Sequence, residues 1–126
     1  MKRSVLSLTA LACLLAAPAA RADADPVVVD PQHYKVEFEN DAVRVLRIKY
    51  GPGEESVMHS HPNAVAIFLT EIEVAMTMPD GTTEVTTGKA GEVKETPASV
   101  HLPRNAGTKP MELILVELKS KDPGKK

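Results

Sequence analysis

From Tyr34 onward, apolar residues recur mainly at every second position, the period of an extended chain and not of a helix. The stretch AVRVLRIKY (42–50) carries Val43 and Val45 and then, after a slip of one position, Leu46, Ile48 and Tyr50. That pattern predicts a strand with a bulge, or one with both faces partly covered. GPGEE (51–55) reads as a turn. AVAIFLTEIEVAMTM (64–78) is a long apolar stretch whose second half sets Ile72, Val74, Met76 and Met78 on one face against Glu71, Glu73 and Thr77 on the other. Pro79-Asp80-Gly81 then predicts a hairpin turn, with TTEVTT as the returning strand. The chain turns again at Gly88 and Gly91, runs through EVKET to Pro97 and on through SVHLPRNAGTKP, and ends in a strand over MELILVELK (111–119). No window carries an apolar period of 3.6, and no internal repeat is visible. Short strands separated by turn signals every eight to twelve residues or so predict an all-β barrel or sandwich.

The two ends follow other patterns. Lys2 and Arg3 precede an uncharged run from Val5 to Ala17, and Ala20-Arg21-Ala22 offers small residues where a signal peptidase reads. Residues 1–22 are therefore expected to be a cleavable signal peptide, and the mature protein to be periplasmic or secreted. The apolar run is too short for a spanning helix, which needs about 20 residues. Residues 23–40 begin with DADPVVVDPQH, where prolines and aspartates around a valine triplet predict an extended segment or edge strand and no helix. Residues 41–119 form the expected barrel domain, and 120–126 have the composition of a flexible tail.

Charge and cysteine usage narrow the function classes. Removing Lys2, Arg3 and Arg21 takes the basic count from 15 to 12 against 17 acidic residues, a net charge of −5 for residues 23–126. That balance predicts neither a nucleic-acid surface nor a membrane-binding face. The single cysteine, Cys13, lies in the signal peptide. The mature chain accordingly has no disulfide, no thiolate ligand and no thiol nucleophile, so a metal site must be built from nitrogen and oxygen.

Four histidines carry the remaining chemistry. In SVMHSHPNAV (56–65), His59 and His61 stand one residue apart, which in a strand points both to one face, about 6–7 Å apart. Imidazoles can lean from there to one ion at about 2.0–2.2 Å. An exposed or capped turn explains such a pair equally well when it stands alone. His101, also in an expected strand, is the natural third ligand. His33, beside Pro31 and Tyr34, reads as a surface or edge residue.

Two blocks join these histidines. GEESVMHSHP spaces Gly53, His59 and His61, and GEVKETPASVHLPRN spaces Gly91, Pro97, His101 and Asn105. In this order, with a hairpin between them, they resemble the two motifs of the cupin family over roughly residues 40–119. The resemblance implies a double-stranded β-helix (jelly-roll-like) barrel with His59, His61 and His101 as ligands of a divalent metal ion on its inner face. Fe(II), Mn, Co, Ni, Cu and Zn all suit such a nitrogen-rich set. The sequence departs from the family where a glutamate ligand usually follows the first histidine pair, because Ala66 stands there. Ser99 replaces the glycine after the second-motif proline, with His101 one residue early. A site of three neutral histidines leaves the charge of the metal uncompensated, which suits an anionic or bidentate small molecule. The resemblance implies a non-haem Fe(II) oxygenase of small molecules or, alternatively, a non-catalytic module binding a metal or a ligand. It also implies a homodimer through an edge strand, with Val27–Val29 as the exchanged segment.

Around the expected metal, Met58, Phe68, Met76, Met78 and Leu102 are candidates to line an apolar pocket, and Tyr50 to donate a hydrogen bond into it. The ordinary alternative for each is plain core, or for Tyr50 a buried ring with a wet hydroxyl. Arg44, Arg47 and Arg104 are cations able to hold a carboxylate, but Arg44 and Arg47 fit the outer strand face and alternation turns Arg104 outward. Asn105 reads as a loop cap. Glu71 and Glu73 fall on the face opposite the apolar set, and Glu54 and Glu55 in a turn.

Overall fold

Among the described residues, alternation along nine strands decides which side chains reach the interior. The computed structural model describes residues 24–120. One short helix, α1 (Pro26–Val29), precedes β1 (Tyr34–Glu39), β2 (Val43–Tyr50), β3 (His59–His61), β4 (Ala64–Phe68), β5 (Ile72–Thr77), β6 (Thr83–Gly88), β7 (Val93–Thr96), β8 (Ser99–Asn105) and β9 (Met111–Leu118). The strands pair antiparallel into a five-stranded sheet, ordered β1-β2-β9-β4-β7, and a four-stranded sheet, ordered β3-β8-β5-β6. Between them lies a core of alternate residues, including Leu46 and Ile48 of β2, Ala66 and Phe68 of β4, Val74 of β5 and Leu115 of β9. This is the all-β, double-stranded β-helix arrangement expected from the sequence.

The slip in the apolar phase near residue 45 reflects cover on both faces of β2. Pairing of β2 with β9 is unbroken from Val43 opposite Leu118 to Tyr50 opposite Met111, whereas β1 shifts register between Val36 and Phe38. Strand β2 itself runs without a bulge and has both faces partly covered. Arg44 consequently shares the inward phase of Leu46, Ile48 and Tyr50. The stretch 64–78 is two strands in different sheets. At the bend, the amides of Leu69 and Thr70 donate to the carbonyl of Glu112 at 3.0 and 3.2 Å. The hairpin after β5 closes where the sequence puts it, with Gly81 at φ 85° and the amide of Met78 donating to Thr82 at 2.8 Å.

The lead-in segment corrects one expectation. Val27–Val29 are helical, because the side chain of Asp25 accepts the amide of Val27 and Pro26 occupies the first turn. Cap and proline together outweigh the β preference of three valines over this short span. No strand is present there to exchange, and within residues 23–40 the edge strand is β1. The expected signal peptide and the residues beyond Ser120 lie outside the described residues. Among those described, no helix is long and apolar enough to cross a membrane.

Candidate metal centre

Strands β3 and β8 lie antiparallel with His59 opposite His101 and His61 opposite Ser99. The three imidazoles therefore converge, and one nitrogen from each lies within 4.8 Å of the others. His59 and His61 are buried, and His101 is half-buried at the wall of the interior cavity. Two of the rings have their outer nitrogens committed. Nδ1 of His59 lies 2.7 Å from the carbonyl of Val57, and Nδ1 of His61 lies 2.6 Å from Oε1 of Glu117. A carbonyl and a carboxylate only accept, so each Nδ1 must carry the proton. In the neutral rings both Nε2 atoms are then bare lone pairs, and they face each other at 3.1 Å. Two lone pairs at this distance repel unless a cation lies between them. At an M–N distance of about 2.1 Å, a separation of 3.1 Å subtends roughly 95° at a shared ion. The donor set fits a divalent metal. His101 completes it, its Nδ1 lying 3.1 Å from the hydroxyl of Ser99.

Burial keeps two of the imidazoles neutral. Burial, followed by the neighbouring His61, lowers the pKa of His59 to about 4. Burial and the other two histidines lower that of His101 to about 3. Neutral imidazole is the ligand form, so these two rings stay available to a metal well below pH 6.5.

Glu117 is a site residue that pattern reading missed. It follows Met111, Leu113 and Leu115 in the inward phase of β9, and a buried carboxylate in an apolar run was the available signal. Its second oxygen, Oε2, accepts from Nε of Arg44 at 2.6 Å. Burial pushes its pKa up, but the bonds from His61 and Arg44 outweigh that and hold it below the usual carboxylate range. Arg44 also donates to Asp25 at 2.8 Å. It is an inward cation with two carboxylate partners, not the outer-face residue expected.

Beside the histidines lies a cavity of about 450 Å³. Tyr50, Phe68, Met76 and Met78 are among its lining residues, with Tyr34, Ala66 and Met111. Met58 and Leu102 are not among its lining residues. Each neighbours an inward histidine, so alternation turns it to the other face. The hydroxyl of Tyr50, expected to be wet, is buried and donates to that of Tyr34 at 2.8 Å. Burial pushes Tyr50 up to about 12 and raises Tyr34 well above its ordinary value, so both remain protonated donors.

His33 is not on the surface. It is buried, stacks on Tyr50 with ring centroids 4.1 Å apart, and bonds through Nδ1 to Asp30 at 2.7 Å. Asp30 in turn accepts from the hydroxyl of Ser56, which lies 3.4 Å from Nδ1 of His59. The turn at Gly51 places Glu54 over this group, its Oε2 lying 3.1 Å from Nε2 of His33. Asn105 is the loop cap expected, donating to the carbonyls of Gly51 and Lys109 at 3.0 and 2.8 Å. Arg104, Glu71 and Glu73 are exposed.

Solved structures bear on the fold. A cupin domain protein from Bordetella pertussis Tohama I is 21% identical and superposes with a TM-score of 0.64 over 69% of this chain and 92% of its own. An RmlC-like cupin with a double-stranded β-helix fold from Methanocaldococcus jannaschii is 22% identical, with a TM-score of 0.53 over 71% of this chain and 83% of its own. The polyketide cyclase RemF of Streptomyces resistomycificus is 16% identical, with a TM-score of 0.51 over 71% of this chain and 66% of its own. No family model matches the chain, and no curated protein does. The protein has the cupin fold, with a cluster of three histidines on the inner face of its barrel. The fold does not name a reaction.

Proposed function

We propose that the protein binds one divalent transition-metal ion through His59, His61 and His101 and offers the open positions of that ion to a small molecule. The carrying observation is the pair of bare Nε2 atoms 3.1 Å apart, each held in that state by a bond at the far side of its ring. The ion would supply a Lewis acid and, as iron, one-electron chemistry with dioxygen. A ligand set without a carboxylate suits a substrate whose anionic or chelating end meets the metal. The apolar walls, Phe68 and Met76 among them, suit an apolar body, and they exclude water from it. Tyr34, whose hydroxyl accepts from that of Tyr50, keeps its own proton to donate to an oxygen of that substrate.

As an enzyme, the protein is a non-haem Fe(II) oxygenase of small molecules. The alternative, a non-catalytic binding module, is favoured by one feature: Ala66 stands where the cupin resemblance places a glutamate ligand. On either reading it acts outside the cytoplasm, as its amino-terminal pattern suggests. The test is the metal content of residues 23–126, measured by plasma mass spectrometry beside His59→Ala and His101→Ala. Near-stoichiometric metal, lost in both variants, supports the site. No uptake of any divalent ion under anaerobic loading contradicts it. Oxygen consumption by the Fe(II) form with candidate ligands then separates the enzyme from the binder.

A further inference from the structure

The three imidazoles are not backed alike. The outer nitrogen of His59 meets a neutral carbonyl, that of His101 meets a hydroxyl, and that of His61 alone meets a carboxylate. We infer that Glu117 is a positioning residue that supplies, from behind His61, the negative charge that the ligand set itself lacks. The inference rests on the metal-binding reading and names the residue that governs its affinity.

The placement of Glu117 supports this role. It occupies an inward position of β9 in line with Met111, Leu113 and Leu115, where a carboxylate is costly unless both oxygens are used. Both are used, one by His61 and one by Arg44. Directly across the sheet stands Ala64, followed in the same phase by Ala66, and these small side chains leave room beside β9 for a long one. The carboxylate thus enters from β9, one hydrogen bond behind the ligand. Arg44 does not cancel it, because that guanidinium is shared with Asp25. Two carboxylates around one arginine leave one net negative charge behind the site. This charge holds the proton of His61 on Nδ1, keeps Nε2 aimed at Nε2 of His59, and makes His61 the most electron-rich of the three ligands. The same chain of contacts ties the site to the amino-terminal segment, since Asp25 also caps α1.

The test has two readouts. In metal-free wild-type protein, nitrogen-15 chemical shifts report the tautomer of His61, and protonated Nδ1 with bare Nε2 is expected. Protonation on Nε2 overturns the inference without any variant. Zinc affinity, measured by competition with a chromophoric chelator, is expected to fall roughly 10- to 100-fold in Glu117→Gln. Ser99→Ala, which removes only the neutral partner of His101, is expected to stay within a few-fold of wild type. Equal zinc affinity in wild type and Glu117→Gln overturns the role of Glu117 alone. A wild-type protein that binds no zinc overturns the metal site together with it.

Discussion

Nε2 of His59 and Nε2 of His61 face each other at 3.1 Å although, in the neutral rings, neither has a proton to place between them. Both Nδ1 atoms are spent on acceptors, so the pair forms a two-point grip for a cation. Everything else at the site sets the neutrality, direction or enclosure of that grip.

The first consequence concerns acid. His59 titrates near 4 and His101 near 3 in the folded protein, both depressed chiefly by burial, against about 6.5 in the unfolded chain. The unfolded chain binds more protons between those values, so the metal-free protein loses stability as the pH falls from about 6.5 toward 4. The loss due to His59 grows to on the order of 3 kcal/mol once the pH is near 4, and is negligible at neutral pH. Urea midpoints between pH 7 and pH 5 should fall steadily, and His101→Ala should flatten that slope.

Ala66 tests the missing carboxylate. It is buried, lines the cavity and belongs to the inner face of β4. Ala66→Glu should cost the metal-free protein on the order of 2–3 kcal/mol, because an unpaired carboxylate is buried. Metal should restore that loss, and binding should shift toward Mn(II) and Fe(II), which favour oxygen ligands. Thermal unfolding with and without each ion measures both effects.

The buried pair of His33 and Asp30 should be structural. Removing His33 deletes the stack on Tyr50 and leaves Asp30 with Ser56 as its remaining side-chain partner. His33→Ala should destabilise the fold by about 3 kcal/mol. A double-mutant cycle with Asp30→Asn should show coupling above about 1 kcal/mol, read from urea unfolding.

Gly88 controls the shape of the cavity from outside it. A Cβ at this position would collide with the ring of Phe68, which forms part of the cavity wall. Gly88→Ala should cost about 1–3 kcal/mol and drive Phe68 inward. Calorimetric stability and binding of an apolar probe dye should fall together.

Much of this was legible along the chain because strand phase carries position. His59 and His61 share a face by spacing alone, and the two glycine-histidine blocks brought in His101. Glu117 was overlooked although it falls in phase with Met111, Leu113 and Leu115, because its partner lies 56 residues away and a glutamate at a strand end ordinarily reads as solvated. His33 sits in a turn, where alternation assigns no phase, so nothing local marked it as buried. The valines of α1 were misread because the prolines and aspartates around them were taken as signs of extended chain, whereas Asp25 caps a helix that Pro26 opens. Arg44 was assigned to the outer face because a cation in an apolar strand ordinarily meets solvent, whereas it shares the inward phase of Leu46 and Ile48 and pairs with Glu117.

X-ray absorption of the zinc-loaded protein addresses the central claim most directly. Three imidazole nitrogens at about 2.0–2.1 Å are expected, with one or more oxygen ligands completing the shell. His101→Ala should lose one imidazole or the metal altogether. A shell with fewer than two imidazoles in the wild type, or one left unchanged by His101→Ala, would contradict the three-histidine site.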